Sequence, residues 1–396
     1  MSSGKRPMSR SLLTPSSLAQ ARPLTSGSVA SADGLPDKLV RASLADVMPY
    51  VPGRAGDADA DVVALASNEG PFDPMPGAQE AVRAGAHEHR LYPDPGAWAL
   101  RDELAGRLGL PVEQVLPGAG IDGLIASLAA LTLDPGDELA MCWPSFLSWR
   151  QRCLVQGATV REAPLTAAGA YDLDALADRV GDRTKLAVVV SPNNPTGAPV
   201  GADELERFLD GLPAHVLPVL DEAYFEYLPA GSHDGASLVR EGRRLAVLRP
   251  FSTAYGLAGL RGGYLAGPAE LVTAMGKVRP AFEVNAPAQA AAVASLREAG
   301  AELPARVALI ERERKRLRTC LEGLGVAPLP SAANFLYIDL GSPDRAAAVN
   351  RSLVEDGVMV RPTAPFGAPA GLRMTIGRPE ENDRLMAVLP GALSSV

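Results

Sequence analysis

Val216-Leu217-Pro218-Val219-Leu220 runs into Asp221-Glu222-Ala223-Tyr224, and Leu245–Leu248 leads shortly into Phe251-Ser252-Thr253-Ala254-Tyr255-Gly256-Leu257-Ala258-Gly259-Leu260-Arg261. Each apolar run reads as a buried strand of a mostly parallel sheet. Open α/β sheets bind ligands just past the carboxyl ends of such strands, and both runs hand over to polar residues there. A third run, Val188–Val190, ends in Ser191-Pro192-Asn193-Asn194-Pro195-Thr196-Gly197. Three strand ends in a row therefore carry polar groups.

Working outward, Pro76–Ala86 and Trp98–Leu108 have helical character, with a turn-rich loop, Arg90-Leu91-Tyr92-Pro93-Asp94-Pro95, between them. Gly118-Ala119-Gly120-Ile121-Asp122-Gly123 opens an apolar helix over Leu124–Leu131. Such glycine-led helix starts cradle phosphate, because free N–H groups and the helix dipole point at it. The same string matches a dinucleotide fingerprint, but no clear strand–turn–acid partner stands about twenty residues on. Glu138–Cys142 predicts a strand ending at Trp143-Pro144-Ser145-Phe146, and Gly263–Ala266 another. A long Ala-rich helix starts near Ala286, and Arg306–Leu324 predicts a separate, solvated helix. Asn334–Ile338, Val358–Pro362 and Leu372–Gly377 predict a second group of strands. Leu39–Met48 predicts a short helix before Pro49-Tyr50-Val51-Pro52-Gly53.

Asn-Pro-Thr-Gly at 194–197, Asp-Glu-Ala-Tyr at 221–224 and Ser-Thr-Ala-Tyr-Gly-Leu-Ala-Gly-Leu-Arg at 252–261 follow one another in a revealing order. The chain resembles the pyridoxal-phosphate aminotransferases of fold type I, and within them the histidinol-phosphate aminotransferase branch. The resemblance runs from about Leu35 to the C-terminus and includes Arg279–Asn285. It implies an α/β fold with a large domain, 76–285, built on a mostly parallel seven-stranded sheet. A small α+β domain would combine an arm, 35–75, with residues 286–396. Residues 1–34, rich in Ser, Pro, Ala and Arg, read as a disordered extension.

The resemblance also assigns roles. Asp221 would face the cofactor ring nitrogen, and Asn194 and Tyr224 its phenolic oxygen. Gly120, Ile121, Asp122, Ser252 and Arg261 would hold the phosphate. Phe146 would stack on the ring, Arg373 would take the substrate carboxylate, and Tyr92 would reach the phosphate of a neighbouring subunit, implying a homodimer with shared sites. Three positions depart from the family pattern: Gly70 where Asn is usual, Ile121 where Ser is usual, and Thr253 where the Schiff-base lysine stands.

Threonine has no amine. The cofactor, pyridoxal or pyridoxamine 5'-phosphate, would then be held non-covalently, and an amino acid, amine or 2-oxo acid would be handled through an external aldimine. The other lysines, Lys5, Lys38, Lys185, Lys277 and Lys315, lie outside the cofactor motifs. His87 and His89 precede the Tyr92 loop and could enter a neighbour's site. A silent binding or regulatory protein, a deliberate lysine-to-threonine change in an ordinary aminotransferase, and a dinucleotide-dependent dehydrogenase are the competing expectations.

Bulk properties bound these choices. The chain has 396 residues, 47% of them hydrophobic, enough for a large core. Its formal net charge of −8 argues against nucleic acid. Cys142, Cys153 and Cys320 have neither metal nor disulfide spacing, so a cytoplasmic setting is expected. No apolar run is long enough to suggest a membrane span.

Overall fold

The computed structural model describes residues 62–394, together with Arg41, Leu44 and Val47. The extension and the Pro49–Gly53 stretch lie outside those residues, as does the predicted 39–48 helix apart from these three. Two sheets organise the chain. The larger has seven strands in the order β2-β8-β7-β6-β5-β3-β4. These are β2 (Val115–Gly118), β3 (Glu138–Cys142), β4 (Thr159–Ala163), β5 (Thr184–Val190), β6 (Leu217–Asp221), β7 (Ala246–Pro250) and β8 (Gly263–Ala266). Only β8 runs antiparallel, to β2 on one side and β7 on the other. The mostly parallel seven-stranded sheet expected from the sequence is present.

The central strands are apolar because helices cover both faces. All of β3 and β7 is buried, as are Leu186–Val190 of β5. Parallel register sets Val188 beside Val219 and Val219 beside Ala246, so the three central strands end at nearly one level. Asn194, Asp221 and Thr253 follow from those ends. The helix α3 (Gly120–Thr132) starts immediately after β2 and brings Gly120–Asp122 to the same side.

The smaller sheet has the order β1-β10-β11-β9, from β1 (Val63–Leu65), β9 (Phe335–Asp339), β10 (Val358–Pro362) and β11 (Gly371–Thr375). The N-terminal strand thus joins C-terminal ones, parallel to β10. Arg361 and Arg373 are register partners across β10 and β11.

The two helices predicted around 286–324 are one. Helix α9 spans Ala286–Gly323, capped by Asn285, whose side chain accepts the Ala288 N–H at 2.8 Å. Pro304 removes one backbone hydrogen bond, yet Leu303, Arg306, Ile310, Leu317 and Leu321 are buried around and beyond it. Burial along one side carries the helix through the proline. The charged, solvated face expected over 306–324 is exposed at Glu311, Arg312, Lys315 and Arg316, whereas Arg306 and Glu313 lie on the buried side. Among the described residues no helix is long and apolar enough to cross a membrane.

Candidate active site

A cavity of about 640 Å³ lies where the central strand ends, the start of α3 and the smaller sheet meet. Every site residue expected from the sequence lines it except Tyr92: Gly120, Ile121, Asp122, Phe146, Asn194, Asp221, Tyr224, Ser252, Thr253, Arg261 and Arg373.

Asp221 closes β6 and is completely buried. Burial pushes its carboxyl up to about 7, and two donors pull against that. The indole N–H of Trp149 donates to Oδ2 at 2.9 Å, and the Ala223 N–H to Oδ1 at 3.2 Å. Among the described residues no cation is a main influence on it, and a carboxylate buried without a cation is costly. A ligand bringing a protonated nitrogen would supply the missing partner.

Opposite, Asn194 Oδ1 accepts from Arg373 Nη1 at 2.6 Å, and Arg373 Nη2 donates to the Ala66 carbonyl at 2.6 Å. The guanidinium lies between the rings of Phe335 and Phe366, each centroid 5.4 Å away. Arg361 also lines the cavity. Tyr224 accepts a hydrogen bond from Asn68 Nδ2 at 2.8 Å, which leaves its own O–H to donate into the cavity. Burial holds its phenol up, in the protonated form that donates.

The start of α3 forms a cradle. Gly120 has φ +70, and a β-carbon there would lie 2.9 Å from Arg261 Nη2, so only glycine leaves this space open. Arg261 is itself left-handed at φ 59 and half exposed, 3.6 Å from Asp122. Asp122 also accepts the Ser148 hydroxyl at 2.7 Å. Gly120–Asp122, Ser252 and Arg261 line this one part of the cavity, and backbone N–H groups, a hydroxyl and a guanidinium are the donors that a phosphate takes.

Thr253 is buried, its hydroxyl 3.4 Å from the Ala223 carbonyl it donates to. A β-carbon on Gly70 would collide with the Thr253 carbonyl oxygen, which explains why no side chain stands at 70. None of the described residues lining the cavity is a lysine or a histidine. Lys277, His87 and His89 are exposed elsewhere. Tyr92 is 82% exposed and stacks on Phe282 with centroids 4.6 Å apart, away from this chain's own cavity.

Two residues of the site were missed in the sequence. Asn68 was passed over beside the more conspicuous Gly70, although it too takes a left-handed backbone, φ 57. Trp149 stands one helical turn after Phe146, a spacing that could have signalled a second aromatic facing the site. Behind the site, Ser191 Oγ lies 2.7 Å from His233 Nε2, and His233 Nδ1 lies 3.0 Å from Glu222 Oε1. Arg249 Nε donates to Glu222 Oε2 at 2.7 Å. All four side chains are buried, and none lines the cavity.

Residues 60–389 match the family model described as aminotransferase class I and II. The chain belongs to this family. It is 44% identical over 347 residues to an aromatic amino acid aminotransferase of Rhodococcus opacus, covering 88% of this chain and 94% of the relative. A protein of the same name from Streptomyces coelicolor is 41% identical over 351 residues, covering 88% and 96%. Among solved structures, histidinol-phosphate aminotransferase from Sinorhizobium meliloti, in complex with pyridoxal-5'-phosphate, superposes with a TM-score of 0.79. It shares 30% identity and covers 84% of this chain and 91% of its own. A Thermus thermophilus aspartate aminotransferase mutant gives a TM-score of 0.77 at 27% identity, covering 85% and 92%. The fold is that of the type I pyridoxal-phosphate transferases, and the dehydrogenase alternative drawn from 118–123 is set aside by it.

Proposed function

We propose that this aminotransferase-family protein binds pyridoxal or pyridoxamine phosphate non-covalently and acts on an amino acid or amine without a catalytic lysine. The observation that carries this is that the expected cofactor residues other than Tyr92 line one cavity, whose described lining holds neither lysine nor histidine. Buried Asp221, lacking a cation, fits a protonated ring nitrogen, and the Gly120 cradle fits a phosphate. When bound, the cofactor supplies an electron sink for charge developing at the substrate α-carbon.

The chain's own residues do the rest. Asp221 keeps the ring proton in place. Tyr224 and Asn194 donate toward the phenolic oxygen, with Asn194 oriented by Arg373. Phe146 would stack on the cofactor ring. Arg261 would offset the phosphate charge, and Ser252 and the N–H groups of Gly120–Asp122 would donate hydrogen bonds to it. Arg373 presents a planar cation to a substrate carboxylate, where lysine could not substitute. Thr253 takes the lysine position but offers no base near neutral pH, a loss worth roughly 10²–10⁴ in rate.

The relatives' names point to an aromatic amino acid, and the apolar walls from Ile121, Phe146 and Phe366 suit one. The resemblance to the histidinol-phosphate branch points instead to a phosphorylated substrate, with Arg361 beside Arg373 as its second cation. We also infer a division into an extension at 1–34, an arm at 35–75, a cofactor domain at 76–285 and a C-terminal domain at 286–396, working as a cytoplasmic homodimer. A described lining without lysine or histidine also favours a silent binding protein. Borohydride reduction of the protein with pyridoxal phosphate distinguishes the outcomes. No pyridoxyl label at 253, together with reversible binding of pyridoxamine phosphate, supports the proposal; labelling of a native lysine at the site overturns it. Binding without any turnover selects the silent protein.

A further inference from the structure

Asp221 lies at the floor of the cavity, and its two oxygens are held by different kinds of donor. The Ala223 N–H belongs to the turn that follows β6 and comes with the backbone. The Trp149 N–H is a choice of side chain, made from the first turn of the helix α4 (Leu147–Val155). Trp149 is fully buried, so a phenylalanine or leucine could fill much of its apolar slot, but neither carries a donor.

We propose that Trp149 is a positioning residue: its indole N–H fixes the Asp221 carboxylate in one orientation and holds it ionised against the cofactor ring nitrogen. This rests on the cofactor assignment made above. A proton between a carboxylate and a ring nitrogen can sit on either. A donor onto the carboxylate stabilises its charged form and so shifts the proton to the nitrogen.

The surroundings give this donor unusual weight. Among the described residues, the main ionisable groups that act on or respond to Asp221 are Asp122 on α3, Glu222 beside it in the chain, and the buried phenols Tyr171 and Tyr224. None is a cation. Burial and both acids disfavour the charge; the indole and the Ala223 N–H are what oppose them, the indole more strongly. Only the indole can be removed without changing the backbone.

The test replaces Trp149 by its benzothiophene isostere, which keeps the bicyclic shape and puts sulfur where the N–H was; Trp149→Phe serves as a second variant. The Asp221 carboxyl is titrated in the ligand-free full chain by carbon NMR, its signal assigned by its loss in Asp221→Asn. The expected result is an upward shift of about one to two pH units in both variants, the size of one charge-assisted hydrogen bond. Pyridoxamine phosphate should bind about tenfold or more weakly at neutral pH, the deficit shrinking as pH rises and Asp221 ionises. An unmoved Asp221 titration in the folded isostere variant overturns the proposal, as does a shifted titration with unchanged pyridoxamine phosphate affinity at every pH. If the wild type binds neither pyridoxal nor pyridoxamine phosphate, the cofactor assignment fails and the ring-nitrogen role with it. A titration shift surviving in that case separates this failure from a failure of the indole contact itself.

Discussion

Asn68 and Tyr224 stand 156 residues apart in the chain and are joined by a 2.8 Å hydrogen bond. Asn68 follows β1 of the smaller sheet; Tyr224 follows β6 of the larger. The backbone N–H of Asn68 donates to Thr375 on β11, and Asn334 Nδ2 donates to the Asn68 carbonyl. One buried amide therefore ties the phenol of the active site to the smaller sheet. Asn68→Ala should cost about 1–3 kcal/mol, because it strands buried polar groups. It should also weaken pyridoxamine phosphate binding by loosening Tyr224. Urea unfolding and a cofactor titration measure the two effects; a variant as stable as wild type would show the contact to be idle.

Gly70→Asn restores the residue usual in the resembled family but drives a β-carbon into the Thr253 carbonyl. Overpacking against backbone should destabilise by about 1–3 kcal/mol. Thermal melts of Gly70→Asn and of Gly70→Ala should both fall, since the collision begins at the β-carbon.

Asp221 gives a pH prediction with a definite sign. Its folded value, raised to about 7 by burial, exceeds the ordinary 3.8. Between those values the folded chain binds the extra proton, so this group's contribution to stability is full below about pH 4 and lost as pH rises to about 7. Asp221→Asn should therefore melt higher than wild type in ligand-free protein at pH 8, with the gain vanishing near pH 4. A gain that is constant across that range would mean that Asp221 is not the group titrating.

Leu91, Tyr92, Trp98 and Phe282 are large apolar side chains left exposed, at 54%, 82%, 53% and 38%. Exposed apolar clusters mark contact surfaces. A dimer is expected by light scattering at micromolar concentration, and Leu91→Asp should shift it toward monomer. A wild-type monomer with cofactor present would count against the shared-site assembly and against Tyr92 as a phosphate ligand.

Thr253→Lys puts an amine into a wall that has none. If the pocket accepts the longer side chain, pyridoxal phosphate should become reducible onto residue 253 by borohydride, with a visible absorbance change. Failure of this variant to bind any cofactor would show that the wall around Thr253 has closed.

Strand ends were the most legible part of the sequence. Apolar runs followed by polar words put Asn194, Asp221 and Thr253 at or just past strand ends, where the structure has them, because parallel strands buried on both faces have no alternation to confuse them. β4, Thr159–Ala163, was not seen: it is a half-exposed edge strand with polar Thr159, Arg161 and Glu162. β2 was hidden by its Pro and Gly, which fit an edge strand better than a central one. The break placed before Arg306 falls beside Pro304, whose local cost is outweighed by burial along α9. Partners across long sequence separation, such as Trp149 with Asp221 or Asn68 with Tyr224, leave no local pattern to find.

Ser191, His233 and Glu222 sit at the spacings of a hydrolytic triad, with Arg249 steadying the acid. An acyl-transfer nucleophile needs an approach path for its substrate and a later path for water, and these residues line neither. Ser191 also accepts the Val200 N–H at 3.0 Å, which fixes its oxygen as a strut within the loop that presents Asn194. Serine-directed fluorophosphonates should pass the folded protein by: a geometry that means hydrolysis at a surface serves here as internal bracing.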